Sequence, residues 1–216
     1  MIRQKRIIIR YPIFHSVVIV FLLFLFSGVV DAQTMYGIRV GDHLSSTSKI
    51  GLAPVVEEET GPFVIRKWRF SDTNELSVTA FRNTGKIIYM ETNWNGDRRG
   101  ALSDIPGMIY GKTTLSDMRK QFGSNGFSYE ERGSVVTVRD GIIMINSYQI
   151  MGTNHVITFI TKISEKNISR ADKAKNVADL AFLDTIIIGD TAYLDTVWGK
   201  AKIFDKQYKP IKLIQK

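Results

Sequence analysis

Three acidic residues near the end of the chain, Asp184, Asp190 and Asp195, are spaced irregularly around Gly189 and could line a pocket. Hydrolysis by paired carboxyl groups needs the two held about 5–10 Å apart. Asp190 and Asp195, with His155 as an accessory base, therefore define one reading: an envelope hydrolase. Two other acidic clusters, Glu57-Glu58-Glu59 and Glu130-Glu131, each precede an apolar segment and read as solvated loops. Past the first 32 residues only His43 and His155 remain, and Cys is absent throughout, so a metal site would need both histidines plus carboxylates. The spacing puts His155 at a hairpin and His43 in a first turn, where both read as solvated loop histidines. Gly111-Lys112-Thr113-Thr114 has the ending of a phosphate-cradling loop, but Pro106 stands where that loop needs a glycine. The expectation there is a strand-to-helix turn and no nucleotide. No Gly-x-Ser-x-Gly elbow occurs. These residues assign no catalytic group, cofactor or metal.

Aromatic side chains are the better candidates. Trp68, Phe70, Phe81, Tyr89 and Trp94 fall on expected strands of the first half, and Tyr148 and Phe159 on strands of the second. Phe81 shares a face with Glu75, Ser77 and Thr79, opposite Leu76, Val78 and Ala80, so alternation does not place every ring in a core. Interleaved with Arg66, Lys67 and Arg69, the set Trp68, Phe81, Tyr89, Trp94 and Tyr148 suits a protein-binding face, because such side chains dominate interface energies. Ordinary core plus rim is the alternative. The C-terminal segment sets Lys200, Lys202, Lys206, Lys209 and Lys212 among Phe204, Tyr208, Ile211, Leu213 and Ile214. Near an anionic membrane each base contributes about 1 kcal/mol of attraction. A solvated edge strand blunted by lysines is the other reading.

Charge and hydropathy place these candidates in a compartment. Arg3, Lys5, Arg6 and Arg10 precede an apolar run that reaches Val30, and Val30 and Ala32 fill the small-residue positions before Gln33. This is the pattern of a secretory signal peptide over residues 1–32, cleaved near Ala32/Gln33. An uncleaved anchor is the alternative, but the 18 residues from Ile13 are interrupted by His15 and Ser16, and a span needs about 20 apolar residues. No cysteine near the cut permits lipid anchoring. The formal charge of the whole chain is +8, from 29 basic and 21 acidic residues. The leader holds four of the bases and Asp31, and residues 199–216 hold six lysines against Asp205, so residues 33–198 balance at zero. The basic character belongs to the two ends, and nucleic acid is not an expected partner. A cysteine-free exported chain must be held by packing, which favours a bacterial envelope protein, periplasmic or secreted.

The elements that would carry these residues recur at an interval of about seventy. Gly37 and Gly41 correspond to Gly107 and Gly111. After each pair comes a short helix ending in glycine: Ser45 to Ile50 before Gly51, and a second helix with Thr114 and Asp117 at capping-box spacing, an apolar face of Leu115, Met118 and Phe122, and Gly123 beyond. Three strands are predicted to follow in each half: Phe63–Phe70, Glu75–Arg82 and Lys86–Trp94, then Ser134–Arg139, Ile142–Ile150 and His155–Ile163. Asp140-Gly141 is a two-residue hairpin signal. A helix is predicted from Arg170 to about Leu183, with a mixed segment and the basic tail after it.

The pattern of Gly37, Gly41, Leu44 and Gly51, repeated in Gly107, Gly111, Leu115 and Gly123, resembles the tandem repeat of the β-lactamase inhibitory protein (BLIP) and of the small outer-membrane assembly lipoproteins of the SmpA/OmlA type. The resemblance covers roughly residues 35–163. It implies an α+β fold of two tandem repeats, each of short helices followed by a three-to-four-stranded antiparallel sheet, with a C-terminal helical or extended extension. The corresponding segments are 33–100, 101–165 and 166–216. It also implies a scaffold whose sheet face binds another protein. The chain departs from both relatives in lacking the inhibitor's disulfides and the lipoprotein's lipidated cysteine. The functional expectation is an exported, non-catalytic protein-binding module of the cell envelope.

Overall fold

Alternation along Asn74–Phe81 puts Leu76, Val78 and Ala80, all 0% exposed, on one face and Glu75, Ser77 and Thr79 on the other. A strand built this way must lie in a sheet whose two faces differ, and the computed structural model shows how that sheet is assembled. It describes residues 33–70, 74–94, 103–171, 173 and 176–213. The leader 1–32 and the expected boundary near residue 100 lie outside the described residues.

In chain order the strands are β1 (Thr34–Met35), β2 (Ile38–Arg39), β3 (Val56–Thr60), β4 (Phe63–Arg69), β5 (Asn74–Phe81), β6 (Ile87–Trp94), β7 (Ser128–Tyr129), β8 (Val135–Val138), β9 (Gly141–Gln149), β10 (His155–Ser164), β11 (Phe182–Asp190) and β12 (Ala201–Lys202). The α-helices are α1 (Leu115–Phe122), α2 (Glu165–Ala171) and α3 (Thr191–Trp198), with 3-10 turns at Leu44–Ile50 and Val177–Asp179. Eight strands form one antiparallel sheet in the order β3-β4-β5-β6-β11-β10-β9-β8. The two small sheets are β1-β2 and β7-β12.

This corrects the expected fold class. The chain is mostly β, and in place of two repeats of helices followed by a three-to-four-stranded sheet the strands belong to a single eight-stranded sheet. What joins them is β11, which pairs with β6 on one side and β10 on the other. Its residues were expected to lie partly in a helix and partly in an irregular extension. Instead α2 ends at Ala171, a short 3-10 turn follows, and the strand begins at Phe182. The physical reason is burial on both sides. Ile186 and Ile188 enter the main core while Ile187 enters a second cluster with Leu194 and Trp198. A strand covered on both faces reads as a continuous apolar run without alternation.

The first face of the sheet carries the main core, closed by the 3-10 turn through Leu44, by Ile105, Met108 and Tyr110, and by α1 through Leu115 and Met118. Thr114 caps α1: its Oγ1 accepts from the Asp117 amide at 3.1 Å, and the Asp117 carboxylate accepts from the Thr114 amide at 3.0 Å. The Thr114 amide, and with it the Thr114 hydroxyl, donates to the Asp117 carboxylate and holds it below its usual range. Gly51 and Gly123 close their helices in the left-handed conformation. The second face carries α3, which follows β11 directly and sets Leu194 on Gly189.

Candidate functional site

The ladder registers place side chains on the second face in rows. One row runs Val56, Lys67, Ser77, Glu91, Ile187, Thr158 and Ser147 across β3 to β9. Its neighbour runs Arg69, Glu75, Asn93, Thr185 and Ile160. Toward β9 these rows are buried, and Ser147 and Thr158 share a hydroxyl hydrogen bond of 2.8 Å. Toward β4 they are not: Lys67 is exposed, and Glu75, Ser77, Glu91 and Asn93 are half-buried around a recess of about 140 Å³. Arg69 pairs with Glu75 at 2.8 Å. Asn93 Oδ1 accepts from Thr185 Oγ1 at 2.7 Å, and the Tyr89 hydroxyl donates to Glu91. The strip is thus polar and carries both signs of charge, with Arg69, Glu75, Glu91 and Asn93 held by hydrogen bonds.

Beside this strip the rings form a continuous ridge. Centroids are 5.8 Å apart for Phe81 and Phe63, 5.6 Å for Phe63 and Tyr193, 5.9 Å for Tyr193 and Tyr89, and 6.2 Å for Tyr89 and Trp198. Beyond Trp198 the chain of contacts continues to Tyr129 and Phe127 in the second core cluster, with Arg132 stacked 4.2 Å over the Trp198 ring. One end of the ridge is core and the other is open, since Phe63, Phe81 and Tyr193 are only half-buried. Burial, reinforced by the Glu91 carboxylate, pushes ionisation of Tyr89 far above its ordinary range, so its hydroxyl stays a donor.

Of the five aromatics expected to form a binding face, Phe81 and Tyr89 lie on this ridge and three do not. Trp68 is paired with Leu76 and is 2% exposed, its indole N–H donating to Leu52 O at 3.1 Å. Tyr148 is 0% exposed, packs on Phe122 and Phe159, and donates to Ser124 O at 3.0 Å. Trp94 lies on the main-core face and packs on Gly111, where a Cβ would stand 2.3 Å from its Cη2. Register sets these three against the main core, which removes them from any shared surface with Phe81. Phe63 and Tyr193 join the ridge unanticipated. Phe63 was legible as the hairpin partner of Phe81; nothing in the sequence signalled Tyr193, because its helix was not anticipated.

The acidic residues are each engaged by a different partner. Asp190 Oδ1 caps α3, accepting from the Ala192 and Tyr193 amides at 3.0 and 3.4 Å, while Oδ2 accepts from Asn154 Nδ2 at 3.2 Å. Asp195 pairs with Lys200 at 3.3 Å. Asp184 sits six residues before Asp190 on the same strand, roughly 20 Å away at the rise of an extended chain. It lines a cleft of about 630 Å³ with Trp94, Asp140, Lys162, Lys166 and Phe182, and burial raises its carboxyl pKa. His155 opposes Asp190 in the ladder and is held below its ordinary range by burial. His43 caps the first 3-10 turn, its Nδ1 accepting from the Ser45 amide. Glu57, Glu58 and Glu59, expected in a loop, form edge strand β3, with Glu57 and Glu59 paired to Arg66 and Arg82. Gly111 to Thr114 is the turn into α1. Among the described residues no three His, Cys, Asp or Glu side chains gather as a metal site.

The basic tail is strapped to the body. Lys200 and Lys202 reach Asp195 and Glu130, the Tyr208 hydroxyl accepts from the Gln149 amide at 2.8 Å, and Ile211 is 4% exposed beside Ile150. Lys206, Lys209 and Lys212 remain exposed. No helix of the described residues is long and apolar enough to cross a membrane. Compared with protein-family models, with curated proteins and with solved structures, the chain matches none.

Proposed function

We propose that this chain is an exported, non-catalytic protein-binding module of the cell envelope, and that it holds its partner on the second sheet face. The observation that supports this is that three half-exposed rings, Phe63, Phe81 and Tyr193, stand on one sheet face and lead through Tyr89, whose hydroxyl donates to Glu91, to the polar strip. Exposed aromatic anchors with a polar, charged surround are the composition of a protein interface, rings at its centre and charges at its rim. The matching partner is a folded protein presenting an apolar side chain flanked by an acid and a base. A photo-cross-linker at Ser77, used in intact cells, should capture one recurrent partner. The purified pair should then bind about tenfold or more weakly after Phe63→Ala with Phe81→Ala. Affinity indifferent to that double substitution refutes the reading.

A second reading has its own observation. Ile203 and Phe204 are 55% and 79% exposed between Lys202 and Lys206. Apolar side chains flanked by bases suit the headgroup region of an anionic membrane, so this loop would place the module at the membrane surface.

A further inference from the structure

The two edges of the large sheet are treated differently. Edge β3 is Val-Glu-Glu-Glu-Thr, and such charges discourage pairing with another chain. Edge β8 is Val-Val-Thr-Val, with Val135 59% and Val136 36% exposed. It carries no charge and no proline, and it pairs only with β9 among the described residues. The Ile145 amide donates to Ser134 O at 2.9 Å, which makes Ser134 and Ile145 a hydrogen-bonded pair. Hydrogen-bonded and non-bonded pairs alternate in an antiparallel ladder. Val136 and Val138 therefore bond inward to β9, and Val135 and Thr137 turn their N–H and C=O groups outward.

We propose that β8 pairs antiparallel with β8 of a second copy of this chain, about a two-fold axis at Val136. In that register Val135 of each copy faces Thr137 of the other. These are the residues with outward backbone groups, so the contact closes with about four hydrogen bonds. Val136 meets Val136 on the face that carries Ile143. Charge chooses this occupant over another strand. Glu131 stands exposed on the turn before β8, and Arg139 stands exposed on the turn after it. Antiparallel self-pairing brings Glu131 of each copy toward Arg139 of the other, while the neighbouring charges are engaged within the chain, Glu130 with Lys202, Arg132 over Trp198 and Asp140 with Lys162. A two-fold contact also closes on itself at two copies, whereas β8 against β3 of another copy would run on into a ring or an open filament. The result is one sheet of twice eight strands, with both polar strips on the same surface. The module becomes bivalent.

So small a contact belongs with weak interfaces below about 1,200 Å². Sedimentation velocity on the purified protein, from low to high micromolar, should show a concentration-dependent monomer–dimer equilibrium. Thr137→Pro removes only an outward N–H, which an edge strand tolerates; it should leave the thermal melt in place and abolish the dimer. Arg139→Glu should weaken dimerisation about tenfold, and Glu131→Arg combined with it should restore the original affinity. A protein monomeric throughout, a dimer untouched by Thr137→Pro, a reversal that the second change fails to rescue, or assemblies growing beyond two copies would each overturn the proposal.

Discussion

Replacing Gly189 by alanine tests how α3 is seated on the second face. An ideal Cβ at Gly189 would lie 2.8 Å from Leu194 Cγ and 2.9 Å from both of its Cδ atoms. Carbon atoms in good contact sit about 3.5–4.0 Å apart, so the added methyl intrudes by roughly 1 Å. Because Cγ itself is struck, turning Leu194 about its outer bond gives no relief, and the helix must rise. Overpacking of this kind destabilises by about 1–3 kcal/mol. Against it stands a gain of about 0.4–1 kcal/mol from restricting the unfolded chain, and Gly189 does not adopt a left-handed φ that would cancel that gain. The net expectation for Gly189→Ala is a loss of about 1–2 kcal/mol. Leu194 is 0% exposed, so Leu194→Ala alone should cost about 2–5 kcal/mol. In the Leu194→Ala background the new methyl enters vacated space, and Gly189→Ala should become neutral or stabilising. Urea unfolding of the four proteins measures the cycle, and near-ultraviolet dichroism follows Tyr193 and Trp198 on the displaced helix. Equal effects of Gly189→Ala in both backgrounds, to within about 0.5 kcal/mol, would refute this seating.

Two further outcomes follow from the cleft and the tail. Burial raises the Asp184 carboxyl pKa, so the folded state holds its proton at a pH where the unfolded state has released it. Stability from this group is present below the ordinary carboxylate range and lost as pH rises through the folded value. Asp184→Asn should therefore raise the urea midpoint at pH 7, with the advantage shrinking on acidification; a lowered midpoint at pH 7 contradicts it. Deleting the Ile203 and Phe204 side chains to alanine should reduce co-sedimentation with anionic vesicles and leave neutral vesicles unaffected, and equal binding by both proteins would dispose of the membrane reading.

The six strands expected from Phe63 to Ile163 lie within one residue of β4, β5, β6, β8, β9 and β10. They were legible because each buries one face more than the other or is bounded by turn residues such as Asp140-Gly141. The capping box at Thr114 was legible for a local reason too, since donor and acceptor stand three residues apart. Edge strand β3 was not, because an edge strand with five exposed residues shows no apolar alternation. The ridge was legible in part. Parity alone put Phe81 opposite Leu76, Val78 and Ala80, but parity within β4 could not say that Trp68 faces Leu76.

What the sequence determined by itself are the features whose forces act over a few residues: strand periodicity, turn chemistry, the helix cap and the charge balance of the two ends. The tertiary structure alone decided that β6 and β11 meet in one sheet, that Trp68 and Tyr148 are core while Trp94 lies on the face opposite Phe81, and that Asp190 caps a helix. Each of these depends on which strand lies beside which. That choice is made by burying apolar surface between segments far apart in the chain, such as Leu76, Ile157 and Ile186 around one core, and no local pattern encodes it.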